Sequence, residues 1–212
     1  MKLPRVIVSV IVLNALPIAS PTSKSSTTVT FTSPCAAKGT HGVDRWAAKT
    51  DHAPIPAKSK ITAVTPSQIY NWPGPGPNVP LTRKSKRIAS EQKWYAVTGR
   101  VDDVRVEADG DIHIGLKDVS GNKAGHVGVE IPSGPGWCNL RKTAFAWTTR
   151  KFPFHFTSGS KLTLSKKPVI IATGKAFFDV DHAPKDHSNR KTTPAGYAAW
   201  EIHPVMSLSV EQ

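Results

Sequence analysis

The chain has 212 residues and 22.9 kDa, which predicts one domain, or one domain with a tail, and leaves no room for several. With 39% hydrophobic and 20% charged residues it can build one core, and 18 prolines with 15 glycines argue against long helices. The net charge of +13 is unevenly placed: residues 1–87 carry 12 Lys/Arg against 2 Asp/Glu, while residues 88–212 carry 16 against 13.

Residues 1–20 read as a signal peptide. Lys2 and Arg5 precede an apolar run, Val6 to Leu13, that only Ser9 interrupts. The run continues to Ala19 with Asn14 and Pro17 inside it, which is short for a bilayer span. Cleavage after Ala19 or Ser20 would leave Pro17 or Ile18 where a small residue is preferred, so an uncleaved anchor or a buried strand stays open. Residues 21–34, Ser/Thr-rich, are expected to be a flexible linker. A secreted or periplasmic location follows, and in an oxidising compartment the only two cysteines, Cys35 and Cys138, are expected to pair.

Residues 35–90 are expected to form an irregular, Pro-rich, basic wrap held by Cys35 and Trp46. Its cluster "RKSKR", Arg83 to Arg87, suits nucleic acid, acidic polysaccharide or an anionic membrane surface, and equally plain solubility. No aromatics interleave it for base stacking.

Residues 91–212 read as the main domain. "WYAVTGRVDDVRVEA" alternates as a long strand, with Gly99 where a bend is expected. "ADGD", Ala108 to Asp111, is a hairpin turn before a second strand, "DIHIGLKD". "HVGVEI" is a third. "NLRKTAFAWTTRKF" predicts one helix, capped by Asn139, with Leu140, Thr143, Ala144 and Trp147 on one face. "KPVIIATGKAFFDV" and "AWEIHPVMSLSV" are the fourth and fifth strands. Three strands, a helix and two strands, with a long bent first strand, give a mainly β fold: an OB-type five-stranded barrel with one helix, preceded by the irregular wrap. A small open sheet with a helix on one side is the alternative.

The segments "HGVDRWAAKT", "DGDIHIGLKD", "VEIPSGPGWC", "ATGKAFFDVDH" and "WEIHPV" resemble those of a family of exported bacterial proteins described as hypothetical. That family runs GVERW-x-KT, DxDxHLVL-x-D, AEIP-x-x-x-C, VTGxGFFD-x-x-H and ELHPV. The resemblance spans roughly residues 35–210. It implies a secreted, OB-like protein with an early-to-late cysteine pair, and no particular activity. The chain departs from the pattern after His182, where "APKDHSNRKTTPAGY" replaces a short glycine-rich loop.

Strand phase places Glu201 and His203 away from the face that Trp200 and Ile202 offer the core. It places Asp111, His113 and Glu130 outward from their own strands, and His182 follows the fourth. If those strands are neighbours, His113, Glu130, His182 and His203 suit a divalent metal, the one cofactor the chain suggests, with Glu201 or Asp111 as catalytic base or supporting group. Outward-facing residues of these types on barrel strands are most often solvated or joined in a hydrogen-bonded network, and that is the leading reading of them here. There is no GxSxG, no HExxH and no phosphate-binding glycine loop. His41, His52, His126, His155 and His187 read as surface residues, and Trp94, Trp137, Trp147 and Trp200 as core or, on an OB face, a stacking platform. Three functions follow: a binding module for an anionic polymer or protein, a metal-dependent hydrolase of nuclease or phosphoesterase type, or a structural secreted protein.

Overall fold

A computed structural model describes residues 28–35 and 44–211. The signal-peptide reading of residues 1–20, the first part of the linker and His41 lie outside the described residues. In chain order the elements are β1 (Thr28–Phe31), α1 (Trp46–Lys49), β2 (Ile61–Val64), α2 (Pro66–Tyr70), β3 (Trp94–Val106), β4 (Ile112–Lys117), β5 (Val127–Ile131), α3 (Cys138–Phe145), β6 (Phe154–Thr157), β7 (Val169–Phe178) and β8 (Trp200–Val210), with 3-10 turns at Lys58–Lys60, Ala89–Gln92 and Pro135–Trp137.

Five strands close the barrel in the order β3-β4-β5-β8-β7, with β7 returning to β3. Every pairing is antiparallel except β5–β8, which is parallel, and α3 lies between β5 and β7 in the chain. That is the OB-type barrel expected. Closure removes the edges that five short strands would otherwise leave open.

The inward positions are Val97, Val101, Val104 and Val106 on β3, Ile112, Ile114 and Leu116 on β4, and Val127, Val129 and Ile131 on β5, all fully buried. On β3 the apolar phase changes from odd to even residues between Val101 and Val104. A bulge between Val101 and Asp103 absorbs the change. Gly99 lies beside the hand-over of β3 from β7 to β4 at Arg100. Close approach is what requires glycine there: a Cβ would stand 2.9 Å from Pro66 Cγ and 3.0 Å from the Lys117 carbonyl oxygen.

Three expectations change. The end of the Ser/Thr-rich run is strand β1, paired with β6, and Phe31 packs among Phe145, Phe154 and Phe156. The wrap contains β2, parallel to β3, and α2, which Thr65 and Gln68 close with a reciprocal capping box. Helix α3 begins at Cys138 with no side-chain cap, so Asn139 lies inside it, and its buried face is Arg141, Ala144 and Phe145.

The Cys35–Cys138 disulfide joins the end of β1 to α3. Trp46 is only half-buried. The wrap is pinned instead by Arg45, whose guanidinium donates to Glu91 Oε1 and Oε2 at 2.9 and 2.6 Å and to the Phe178 carbonyl at 3.0 Å. Within "RKSKR", Arg87 is an internal strut that donates to the carbonyls of Ala48, Ala176 and His203, and Arg83 pairs with Asp181. No helix among the described residues is long and apolar enough to cross a membrane.

Candidate metal centre

The polar face of β4, β5 and β8 is not on the surface. The segment 44–49 and the loop between β7 and β8 cover it, so Asp111, His113, Glu130, Glu201 and His203 point outward from the barrel and yet are buried. This corrects the expectation of a solvated face. The covered space is a cavity of about 400 Å³ between the β3–β4 turn and the β7–β8 loop, the end of an OB barrel at which ligands are commonly bound.

Two glycines lie against its side chains. Gly115 and Gly128 are register partners on β4 and β5. A Cβ on Gly128 would lie 2.6 Å from His113 Cε1 and 2.8 Å from Glu201 Oε1; one on Gly115 would lie 2.2 Å from the Tyr197 hydroxyl. The missing side chains let His113, Glu201 and Tyr197 lie across the sheet.

Strand register builds the cluster. His113 faces Glu130 across β4–β5, and its Nδ1 is 2.8 Å from Glu130 Oε1. Parallel pairing of Val129 with Ile202 brings β8 alongside, and His203 Nδ1 stands 3.1 Å from Glu130 Oε2. His203 Nε2 stands 3.1 Å from Asp111 Oδ2, while the other Asp111 oxygen accepts the Ser133 N–H at 2.8 Å. The His203 contacts are charge contacts out of hydrogen-bonding alignment. Among the described residues eight buried side-chain nitrogens and oxygens lack a hydrogen-bond partner, and four belong here: Asp111 Oδ2, His113 Nε2 and both His203 nitrogens. Buried polar atoms are nearly always paired; three of these four are paired by charge at 3.1 Å, and His113 Nε2 is the one with no partner of either kind.

Donor atoms of Asp111, Glu130 and His203 lie within 4.8 Å of one another, as do those of His113, Glu130 and Glu201. His113, Glu130 and Glu201 line the cavity; Asp111 and His203 lie beneath it. His182 does not join them. Its Nδ1 is 2.8 Å from Asp179 Oδ2, on the half-exposed rim of the cavity.

Sequence reasoning missed Lys191 and Lys49, and placed Asp179 only beside His182. Lys191 is buried, bonds Asp179 at 2.7 Å and contacts Glu201. It lies in a polar loop without periodicity, where nothing in the sequence sets it apart. Lys49 Nζ binds Asp109 at 2.7 Å on the opposite wall. Near the cavity Arg105 is held by Asp103 at 2.9 Å, and the Tyr197 hydroxyl donates to the same carboxylate.

Titration follows the geometry. Burial would lower both histidines, but Glu130 holds His113 above its ordinary value, and Asp111 with Glu130 holds His203 up at about 9. Burial works against the Glu130 carboxylate, and the two histidines nonetheless hold it well below its usual range. Burial and the neighbouring Glu130 push Glu201 up to about 6; burial and Asp111 do the same to Asp109. Carboxylates crowd this space beyond what the nearby cations offset.

Of the other histidines, His126 is half-buried rather than on the surface, stacked on Tyr197 with Nε2 3.0 Å from Asp102, and His187 packs against Phe178. Trp137, Trp147 and Trp200 are buried in the core and offer no stacking platform.

The fold and the site together define an OB-type β-barrel domain with a covered His/carboxylate cleft. Comparison of the chain with protein-family models, curated proteins and solved structures finds no match.

Proposed function

We propose that the cleft is a divalent-metal centre and that the protein is a metal-dependent hydrolase of nuclease or phosphoesterase type. The observation that carries this is the convergence of His113, Glu130 and Glu201 in one cavity, with the buried His113 Nε2 unpartnered. Two carboxylates and an imidazole suit zinc or manganese. A metal held there supplies a water acidified toward neutral pH. Lys191 contacts Glu201 and so orients it, and the missing side chain at Gly128 leaves room for His113 and Glu201. A leader-like start and the Cys35–Cys138 disulfide support a secreted or periplasmic location.

Calorimetry with Zn²⁺ and Mn²⁺ on the disulfide-bonded protein tests the reading, followed by hydrolysis of bis(p-nitrophenyl) phosphate with and without chelator. The wild type should bind, and His113→Ala should weaken binding at least ~100-fold, on the scale lost with a ligand or its immediate support. Hydrolysis should stop with chelator and return with metal. A native protein that binds neither ion would end the proposal.

A second reading rests on Lys58, Lys60, Lys84 and Lys86, which are exposed on the front section. They would attract nucleic acid or an acidic polysaccharide. Affinity for a single-stranded oligonucleotide or heparin should then fall steeply with salt.

A further inference from the structure

We infer that the cluster holds two divalent cations, bridged by the Glu130 carboxylate: an outer one on His113, Glu130 and Glu201, and an inner one on Asp111, Glu130 and His203. The inference rests on the metal reading above and deepens it.

Both sets of converging donors contain Glu130, and its two oxygens are turned to different partners. Oε1 lies 2.8 Å from His113 Nδ1, and Oε2 lies 3.1 Å from His203 Nδ1. A carboxylate shared in this way is how paired ions about 3.5–4 Å apart are commonly held in hydrolytic centres. The spacings suit coordination as well. Two ligands at right angles, each about 2.1 Å from an ion, stand roughly 3 Å apart, and Asp111 Oδ2 with His203 Nε2 at 3.1 Å forms one such edge for the inner ion, while the Nδ1 of His203 stays on Glu130 at 3.1 Å because an ion takes one nitrogen of a ring.

The inner set stands on observations separate from the cavity. Asp111 and His203 are fully buried and do not line the cleft, so no substrate role accounts for them. Asp111 Oδ2 and both His203 nitrogens make charge contacts at 3.1 Å but no aligned hydrogen bond, and Ser133 holds the other Asp111 oxygen, which fixes the direction of Oδ2. Three carboxylates, Asp111, Glu130 and Glu201, converge here, and Lys191 touches only Glu201 among them. The inner ion would have no open path to substrate. Its part is to hold Glu130 and β8 in register and to add positive charge beneath the outer one.

The experiment is metal stoichiometry by elemental analysis of the full disulfide-bonded chain after equilibration with Mn²⁺, read together with electron paramagnetic resonance. Two ions per chain with an exchange-coupled signal are expected. Asp111→Asn and His203→Gln should each lower the count to one with an uncoupled signal, while His113→Gln should lower it to one by removing the outer ion. One uncoupled ion in the wild type overturns the inference, as does an unchanged count in a folded Asp111→Asn protein. One ion lost with His113→Gln and kept with His203→Gln would sustain the proposed function and end the second site, whereas no bound ion at all would end both. If the buried substitutions unfold the chain, the wild-type count and signal decide alone.

Discussion

Gly128→Ala and Gly115→Ala form a matched pair on opposite sides of one β4–β5 rung, and the reasoning predicts different outcomes for them. A Cβ at 128 meets His113 Cε1 at 2.6 Å and Glu201 Oε1 at 2.8 Å. Restoring ordinary contact near 3.4 Å moves the imidazole by about 0.8 Å, several times the ~0.2 Å that a metal–ligand distance tolerates. A Cβ at 115 meets the Tyr197 hydroxyl at 2.2 Å and Asp103 Oδ2 at 2.9 Å, so the displaced group is the Tyr197–Asp103 hydrogen bond. Each substitution overpacks a buried face and should cost about 1–3 kcal/mol in urea unfolding. In calorimetry with Mn²⁺, Gly128→Ala should weaken binding roughly 10–100-fold, and Gly115→Ala should leave it within about threefold. Wild-type affinity in Gly128→Ala would refute the placement of His113 and Glu201 as ligands. An equal loss in both variants would show that the sheet, not the cluster, had been disturbed.

Arg45→Met breaks a salt bridge whose side chains are 1% and 0% exposed and should cost about 3–5 kcal/mol in urea unfolding. Adding Glu91→Leu should recover only part of this, because Glu91 also accepts the Ile88 and Phe178 N–H groups. Burial would raise the Asp103 carboxyl, but hydrogen bonds from Tyr197 and Arg105 hold it below its ordinary value. Its stabilisation is therefore complete above the unfolded pKa of about 3.9 and is lost as pH falls through the lower folded value. The melting temperature should drop through that window, and Asp103→Asn should flatten the drop. Reduction of Cys35–Cys138, which spans 103 residues, should lower stability by about 4–5 kcal/mol on the loop-entropy scale, measured as the denaturation midpoint with and without reductant.

The five barrel strands were legible because period-2 patterning survives where one face is core and the other is polar. The phase change from Val101 to Val104 even foreshadows the bulge on β3. The short strands were not legible. β2 is four residues, and its pairing partner lies some thirty positions away, so nothing local announces a parallel pairing. β1 and β6 owe their form to an aromatic cluster of Phe31, Phe145, Phe154 and Phe156 that only tertiary structure assembles. At the site, phase alone grouped His113, Glu130, Glu201 and His203 on one side of the barrel. It could not report that the wrap covers that side, because burial of an outer face depends on segments far away in the chain. For the same reason nothing local marked Arg45 and Lys191 as buried cations. His182 was grouped with the cluster by its place after β7, and three residues of separation sufficed to hand its ring to Asp179 instead.

β8 is the last strand of the chain, and it lies between β5 and β7 in the closed barrel. A chain that stops short of Trp200 has two bare strand edges and neither Glu201 nor His203. The step that shuts the barrel is thus the step that completes both sets of donor atoms. Asp111, His113 and Glu130 are synthesised before β8, and Glu201 and His203 join them only with it. On the metal reading proposed above, loading would report finished folding.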